Sequence, residues 1–273
     1  MYYNHILNSL INNDFSQLSH VFQPQLNLNS NEISGVEILT RWLYNENTYI
    51  SPLEFIKIAE DENLIWKIDL FTLDSALKFI NKTNIKTSLN LSIQTLENKM
   101  FQNNFSSILK NYPDTKKTLI AIEITETIEA TNIELVQENL IFLKKLGIQI
   151  FLDDFSIDFS NLFALSSYPI SGIKIDKSIL ILLSTTNGHK ILTSFFIFLK
   201  NLNLDIIFEG VEKLTELNFL IKSQIKNLFI QGFYISKPLN QKELINFIEI
   251  YQNYLLSFSR MLFKIISFPN LVG

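Results

Sequence analysis

The feature that most constrains the fold of this chain is a repeated alternation of short apolar runs with longer stretches of helical periodicity. Runs rich in Val, Ile, Leu and Phe predict eight strands, near residues 21–28, 33–42, 86–91, 119–124, 148–152, 172–175, 204–208 and 228–233. The helical stretches begin near residues 52, 65, 94, 132, 161, 178, 214 and 240. Strands that alternate with helices are typical of βα units, and eight such units can close into a barrel.

The first two predicted strands depart from this regular pattern. Only residues 29–32 separate them, which is too short a segment for a helical crossover and the right length for a hairpin. We therefore expect one of the two to run antiparallel. The predicted fold is α/β, a single TIM-like (β/α)8 barrel with one antiparallel strand near the amino terminus. A lead-in helix is expected over residues 1–16, the barrel domain over 17–250 and an apolar helical tail over 251–273.

The composition excludes several classes of function. A net charge of −4 provides no basic field for a polymeric nucleic acid, and we expect none as a partner. The absence of cysteine excludes disulfides, thiol nucleophiles and zinc-thiolate sites, and three scattered histidines offer little for a catalytic triad. No export signal opens the chain and no run reaches about 18 apolar residues, so we expect a cytoplasmic protein without a transmembrane segment.

Polar residues stand at or just past the ends of the apolar runs. In a barrel the carboxyl ends of the parallel strands share one rim, so these residues are expected to converge there. They are Glu37, Arg41, Asn90, Glu123, Glu126, Asp153, Asp154, Lys174, Asp176, Glu209, Glu212 and Gln231. A single acid in such a place is more often a helix cap or a surface ion pair. Five of these acids in one pocket would repel one another unless cations neutralised them, which favours oxygen-ligated Mg²⁺ or Mn²⁺. The five are Glu37, Glu123, Asp153, Asp154 and Glu209.

Four of these residues indicate the chemistry of that pocket. At the end of a strand, Asp153 and its neighbour Asp154 can both turn inward and serve two ions, as two-metal hydrolysis of a phosphodiester requires. Lys174 is either a charge-balancing buried ion pair or a group that orients or deprotonates the attacking water. Arg41 is one of only two arginines among 23 basic residues. It could bind a substrate phosphate through two parallel hydrogen bonds, with a structural ion pair as the alternative.

The run Gly35-Val-Glu-Ile-Leu-Thr-Arg-Trp42 resembles the signature of EAL domains, the bacterial phosphodiesterases that linearise cyclic di-GMP to pGpG. Other segments similar to family motifs follow in family order, over about residues 17–250. They are Phe22-Gln-Pro24, Asn90-Leu-Ser92, Glu123-Ile-Thr-Glu126, Asp153-Asp-Phe155, Lys174-Ile-Asp176, Glu209-Gly-Val-Glu212, Gln231-Gly232 and Ser236-Lys-Pro238.

The resemblance implies a role for each site residue. One metal ion would be coordinated by Glu37, Asn90, Glu123 and Asp153, and a second by Asp153 and Asp154 with Glu209 close to it. Lys174 would assist the attacking water and Gln231 would help to position it. Arg41, Gln23 and Pro24 would serve substrate binding, and Glu126 would brace the loop that follows Asp154. The family further implies two Mg²⁺ or Mn²⁺ ions per site, cyclic di-GMP as substrate and homodimers through the face that carries this loop.

Two departures from the family pattern leave alternatives open. Ile38 replaces a small alanine, which we expect to be tolerated because that position points away from the metals. In the loop after Asp154, Ser156-Ile-Asp-Phe-Ser160 stands where the family usually has Gly-Thr-Gly-Tyr-Ser, so both glycines are lost. A second hypothesis is therefore a module that binds cyclic di-GMP or a protein partner without turnover. A third gives the function to the apolar tail, which would dock on a membrane or partner helix rather than on its own barrel.

Overall fold

A computed structural model describes residues 2–125, 131–156 and 159–266, without the side chains of residues 159–160 and 256–266. In this part of the chain, nine strands form one sheet. They are β1 Leu18–Asn27, β2 Glu32–Asn45, β3 Thr48–Ile50, β4 Thr87–Asn90, β5 Ile120–Thr125, β6 Gln149–Asp153, β7 Gly172–Ile175, β8 Asp205–Phe208 and β9 Leu228–Gln231. The helices are α1 Tyr3–Ile11, α2 Pro52–Asp61, α3 Ile65–Thr83, α4 Ile93–Leu96, α5 Phe101–Lys110, α6 Ile133–Lys145, α7 Phe159–Ser167, α8 Thr186–Leu202, α9 Leu214–Lys222 and α10 Gln241–Ile266.

All strands except β3 close a barrel, in the order β1, β9, β8, β7, β6, β5, β4, β2 and back to β1. β1 pairs antiparallel with both β2 and β9, and the other barrel pairs are parallel. The predicted α/β barrel and its antiparallel strand near the amino terminus are therefore confirmed. The short turn between β1 and β2, with Asn31 at a φ of 57°, is what reverses the chain.

Three elements differ from the sequence prediction. The strand β3 extends the hairpin of β2 by only three residues, which is too short for a recognisable period. The sequence predicts one helical stretch from near residue 94, where the structure has the two helices α4 and α5. The buried residues Phe101, Phe105 and Leu109, at four-residue spacing, are the signal for α5. The helix predicted near residue 178 is a 3-10 helix over Lys177–Ser184, after which the Thr185 hydroxyl accepts a hydrogen bond from the Gly188 amide and caps α8.

The apolar core consists of three clusters. Strand residues that face outward pack against the surrounding helices in one large apolar cluster. A second cluster joins α1 to the barrel, where Ile6 and Leu10 pack with Trp42 and Phe55. Inside the barrel, a small cluster of Ala121, Phe151 and Ile207, with Phe229 packed against it, fills the space below the carboxyl ends of the strands. This filling separates the polar side chains above it from those at the amino-terminal end of the barrel, where Lys86 lies over the Phe151 ring and Gln149 donates a hydrogen bond to Asp205.

The last helix, α10, opens with a capping pair in which Asn240 and Glu243 exchange side-chain and backbone hydrogen bonds. Leu244 is buried, and Tyr251 packs against the large cluster. Ile250 lies on the outer face and is 61% exposed. Ile248 also packs against the large cluster, and Tyr254 is 65% exposed. The side chains of the predicted tail from residue 256 onward lie outside the described part of the chain. Among the described residues, we find no helix whose length and apolar character would let it cross a bilayer.

Gly172 on β7 is a point of close approach inside the barrel. A Cβ atom there would lie 2.3 Å from the Phe151 ring and 2.6 Å from the Asp205 carbonyl oxygen. We expect Gly172→Ala to displace Phe151 and to lower the free energy of unfolding by about 1–3 kcal/mol, measured by chemical denaturation. Gly35→Ala is the matched control, since its nearest contact would be 3.1 Å. Equal denaturation midpoints for Gly172→Ala and the wild type would refute this account of the interior.

Asp69 on α3 is a buried acid whose carboxylate holds the start of α4. Its Oδ2 accepts hydrogen bonds from the Ser92 amide, at 3.0 Å, and from the Thr95 hydroxyl, at 2.5 Å. Burial raises the pKa of Asp69 to about 7, and the nearby Glu60 adds to this, although the two hydrogen bonds oppose it. The folded chain therefore binds this proton more tightly than the unfolded chain does.

The raised pKa of Asp69 predicts a pH-dependent effect of Asp69→Asn. Wild-type stability should fall as pH rises from about 4 towards about 7, because the folded state retains a proton that the unfolded state has released. The variant keeps the hydrogen-bond acceptor and lacks this slope. Its melting temperature relative to wild type should therefore rise over that interval and level off above it. Asp74→Asn, half-buried on the same helix, controls for removing a charge from α3. A difference that does not vary with pH would contradict the prediction.

Candidate active site

The carboxyl ends of the barrel strands deliver a layer of polar side chains above the apolar filling. Side chains alternate between the two faces of a strand, so every second residue points into the barrel. On β5 this places Ala121 in the filling and Glu123 in the layer above it. On β6 it does the same for Phe151 and Asp153. The other members of the layer are Glu37 on β2, Asn90 on β4, Lys174 on β7, Glu209 directly after β8 and Gln231 on β9.

Lys174 stands among four carboxylates of this layer. Its Nζ lies 2.6 Å from Glu123 Oε2 and 2.8 Å from Glu209 Oε1. It is also 3.2 Å from Asp153 Oδ1 and 3.3 Å from Glu37 Oε2. The lysine is 1% exposed, so its charge is balanced by these acids rather than by water.

Burial is the largest single influence on the pKa of each of these groups, and the charges nearby come second. Burial alone would lower the pKa of Lys174, but the surrounding carboxylates raise it well above its ordinary value. Burial would raise the pKa of Glu37, yet Lys174 and two amide donors hold it below the ordinary value. Burial raises the pKa values of the other three acids. The pKa of Asp153 lies above its ordinary value, that of Glu209 is about 7, and that of Glu123 lies well above its ordinary range. One lysine therefore does not offset the repulsion among these acids.

The donor set suits a hard divalent cation. Glu123 Oε1 is buried and has no hydrogen-bond partner among the described residues, which is costly for a carboxylate unless a cation is its partner. Asp154 adopts a φ of 52°, and this turn brings one oxygen each of Asp153, Asp154 and Glu209 within 4.8 Å of one another. Carboxylate and amide oxygens are the ligands that Mg²⁺ and Mn²⁺ prefer. The residues therefore fit a divalent-metal site.

Arg41 lies at the mouth of the barrel on the extended end of β2. Its Nη1 donates a hydrogen bond to the Thr40 carbonyl, at 2.9 Å, and the side chain is half-buried. It lines a pocket of about 330 Å³ that also reaches Asn90, Glu123 and Asp153. The opposite wall of the pocket comes from α2 and α3 and includes Phe55, Ile65, Ile68, Glu60 and Asp69. An arginine, a polar layer and an apolar wall thus face one space.

A chain of amide side chains from the antiparallel strand completes the layer. Gln231 Nε2 donates to Glu37 Oε2 at 2.6 Å and to Gln23 Oε1 at 3.2 Å. Gln25 Nε2 in turn donates to Gln231 Oε1 at 2.9 Å and to Ser88 Oγ at 3.4 Å. Gln25 and Ser88 are not among the site residues predicted from the sequence. The alternation of Gln23 and Gln25 on one face of β1 is the signal that could have identified the first of them.

The structure brings most of the predicted residues together. Glu37, Glu123, Asp153, Lys174, Glu209 and Gln231 are linked directly, and the Asn90 Nδ2 donates to Glu37 Oε1 at 2.9 Å. Pro24 lies on the face of β1 opposite to Gln23. Two of the predicted rim acids have the ordinary structural roles of a helix cap and a surface ion pair. Asp176 caps the 3-10 helix, and Glu212 pairs with Lys177 at the surface. Glu126 and much of the loop after Asp154 lie outside the described residues.

Comparison with known proteins agrees with this geometry. The family model of the EAL domain matches residues 4–238. The cyclic di-GMP phosphodiesterase PdeR of Escherichia coli (strain K12) is 29% identical over 244 residues, which are 85% of this chain and 35% of PdeR. The chain spans about a third of the length of the curated relatives it matches first.

Two solved structures share the barrel. The PaMucR phosphodiesterase in complex with c-di-GMP superimposes with a TM-score of 0.77 at 25% identity, over 89% of this chain and 100% of that one. The EAL domain protein from Listeria monocytogenes EGD-e gives the same TM-score and identity, over 92% of this chain and 98% of that one. By the extent of the family match and by its fold, the chain belongs to the EAL domain family.

Proposed function

We propose that the chain is a divalent-metal-dependent phosphodiesterase that hydrolyses cyclic di-GMP to linear pGpG. The observation that carries this proposal is the convergence of acids from separate strands around Lys174, with a buried oxygen of Glu123 that lacks a partner in the described part of the chain. The names of PdeR and PaMucR support the choice of substrate. We assign the activity to the cytoplasm, in keeping with a chain that has no cysteine.

The charge of the layer supports two ions rather than one. The four carboxylates of the layer, the adjacent carboxylate of Asp154 and one ammonium leave a formal charge of −4, from −5 and +1, which two divalent cations would neutralise. The carboxylates are those of Glu37, Glu123, Asp153, Asp154 and Glu209. Glu37, Asn90, Glu123 and Asp153 would hold one ion, and Asp153, Asp154 and Glu209 the other. Ions held there would stabilise the attacking and leaving oxygens of the phosphodiester.

The chain's own donors would orient the reactants. Lys174 and the amide of Gln231 present N–H groups inside the layer and would orient the attacking water. Hydrolysis joins a water oxygen to phosphorus and breaks one phosphodiester bond of the ring, so a cyclic dinucleotide leaves as a linear one. Arg41 would bind a phosphate, since its guanidinium can donate two parallel hydrogen bonds.

The pocket beside Arg41 suits a base of the substrate. Phe55 and Ile65 offer apolar surface against which a purine ring can pack. Glu60 and Asp69 supply acceptor oxygens on the same wall, and guanine carries N–H donors along one edge. Gln23 and Pro24 are proposed as further substrate contacts from the family motif alone.

We expect the purified chain to convert cyclic di-GMP to pGpG in Mg²⁺ or Mn²⁺, as measured by chromatography of the products. Glu37→Ala should reduce turnover by more than about 100-fold, because it removes a proposed metal ligand. Arg41→Lys should raise KM about tenfold with a smaller effect on kcat, because lysine keeps the charge but loses the two-pronged contact. Tight binding of cyclic di-GMP by the wild type without any product would instead support the non-hydrolytic receptor.

We also propose a homodimer through the face next to the loop that follows Asp154. On this face Leu162 and Phe163 of α7 are 41% and 45% exposed, and Ile191 of α8 is 54% exposed. Exposed apolar side chains grouped in this way are typical of interaction surfaces.

The dimer predicts that Phe163→Glu will shift the chain towards the monomer, measured by light scattering coupled to size-exclusion chromatography. The substitution would bury a charge in the contact, which is unfavourable. Ile221→Glu on α9 is the control, because Ile221 is 53% exposed on another helix. A monomeric wild type, or a dimer that both variants leave intact, would rule out this face.

A further inference from the structure

Lys174 contacts the same carboxylate groups that the divalent ions would need. Its ammonium lies within 3.3 Å of Glu37, Glu123, Asp153 and Glu209, each of which is a proposed metal ligand. A carboxylate oxygen that accepts a hydrogen bond from an ammonium has less electron density to share with a metal ion. The lysine and the ions are therefore rivals for one set of ligands.

Among the residues that the structure describes, no other cation is placed to replace Lys174. Within the described residues, no second lysine or arginine lies within salt-bridge distance of the four acids. The amide donors Asn90 and Gln231 reach only Glu37 among them. Without Lys174, the buried acids would face one another with no compensating charge, and such an arrangement is strongly unfavourable.

We propose that Lys174 is a built-in counter-ion, which holds the acid layer together when no divalent ion is bound and competes with the ions when they bind. This inference rests on the proposed metal-dependent function. It has two consequences. The barrel should fold without a metal ion, and its affinity for metal should be lower than the acids alone would give, because a divalent cation placed near an ammonium is repelled by it.

The test compares Lys174→Met with Lys86→Met in the full chain. Lys86 is a half-buried lysine at the opposite end of the barrel, 5.2 Å from the centre of the Phe151 ring. Thermal unfolding midpoints are measured after EDTA treatment and then across a Mn²⁺ series, with Mn²⁺ affinity measured by calorimetry. Lys174→Met should melt below the wild type in EDTA. It should show a larger rise in midpoint with Mn²⁺ and bind Mn²⁺ about tenfold more tightly. Lys86→Met should show the wild-type rise.

Loss of folding by Lys174→Met in EDTA would not prevent the test. Circular dichroism of protein purified in Mn²⁺ should then show a folded chain that unfolds when EDTA is added, which supports the proposal. The proposal is overturned if this variant stays unfolded in Mn²⁺ while Lys86→Met folds, or if its Mn²⁺ response is no larger than that of the wild type. A wild type whose midpoint responds to neither Mn²⁺ nor Mg²⁺ would overturn both this proposal and the metal-dependent function.

Discussion

Electrostatic repulsion among carboxylates in the barrel mouth is the constraint on which the site depends. These groups cannot spread apart, because they are attached to strands whose positions are set by backbone pairing. They cannot all be hydrated either, because Glu123 is fully buried and the filling below is apolar. Cations must therefore supply the balance, and of the residues with described side chains it is Lys174 that contributes one.

The antiparallel strand gives this barrel a feature that a regular one lacks. Reversal of β1 places Gln23 and Gln25 between Glu37 on one side and Gln231 on the other. Gln25 donates to Gln231, which in turn donates to Gln23 and to Glu37, so these amides link the layer by hydrogen bonds without adding charge. Lys174, together with the amides of Gln231 and Asn90, lowers the pKa of Glu37 against the effect of its burial.

Much of the fold was predictable because its signals are local. Strand periodicity and the short turn before residue 33 predicted the barrel and its reversed strand, and the structure confirms both. The elements that were missed have other causes. The strand β3 has three residues and owes its existence to pairing with β2. Helix α8 follows a 3-10 segment of the same apolar character, so periodicity alone does not separate them.

The acids of the site were predictable for the same reason, since polar residues at the ends of apolar runs stand out. The contacts that these side chains make with one another were not predictable from the sequence. Nothing near Gln25 in sequence indicates that it contacts Gln231, 206 residues away. Likewise, Asp69 appears in sequence as one polar residue of a helix, and only packing against α4 makes it a buried acid.

The sequence by itself determined which chemical groups are available and on which elements they lie. It supplies acids, two arginines and no cysteine, and it places the acids where strands end. Only the tertiary structure decided that four of those acids share one lysine and that one buried oxygen of Glu123 meets no hydrogen-bond partner within the ranges described. The reason is physical: charge interactions depend on distance in space, and barrel closure brings together groups that are far apart along the chain.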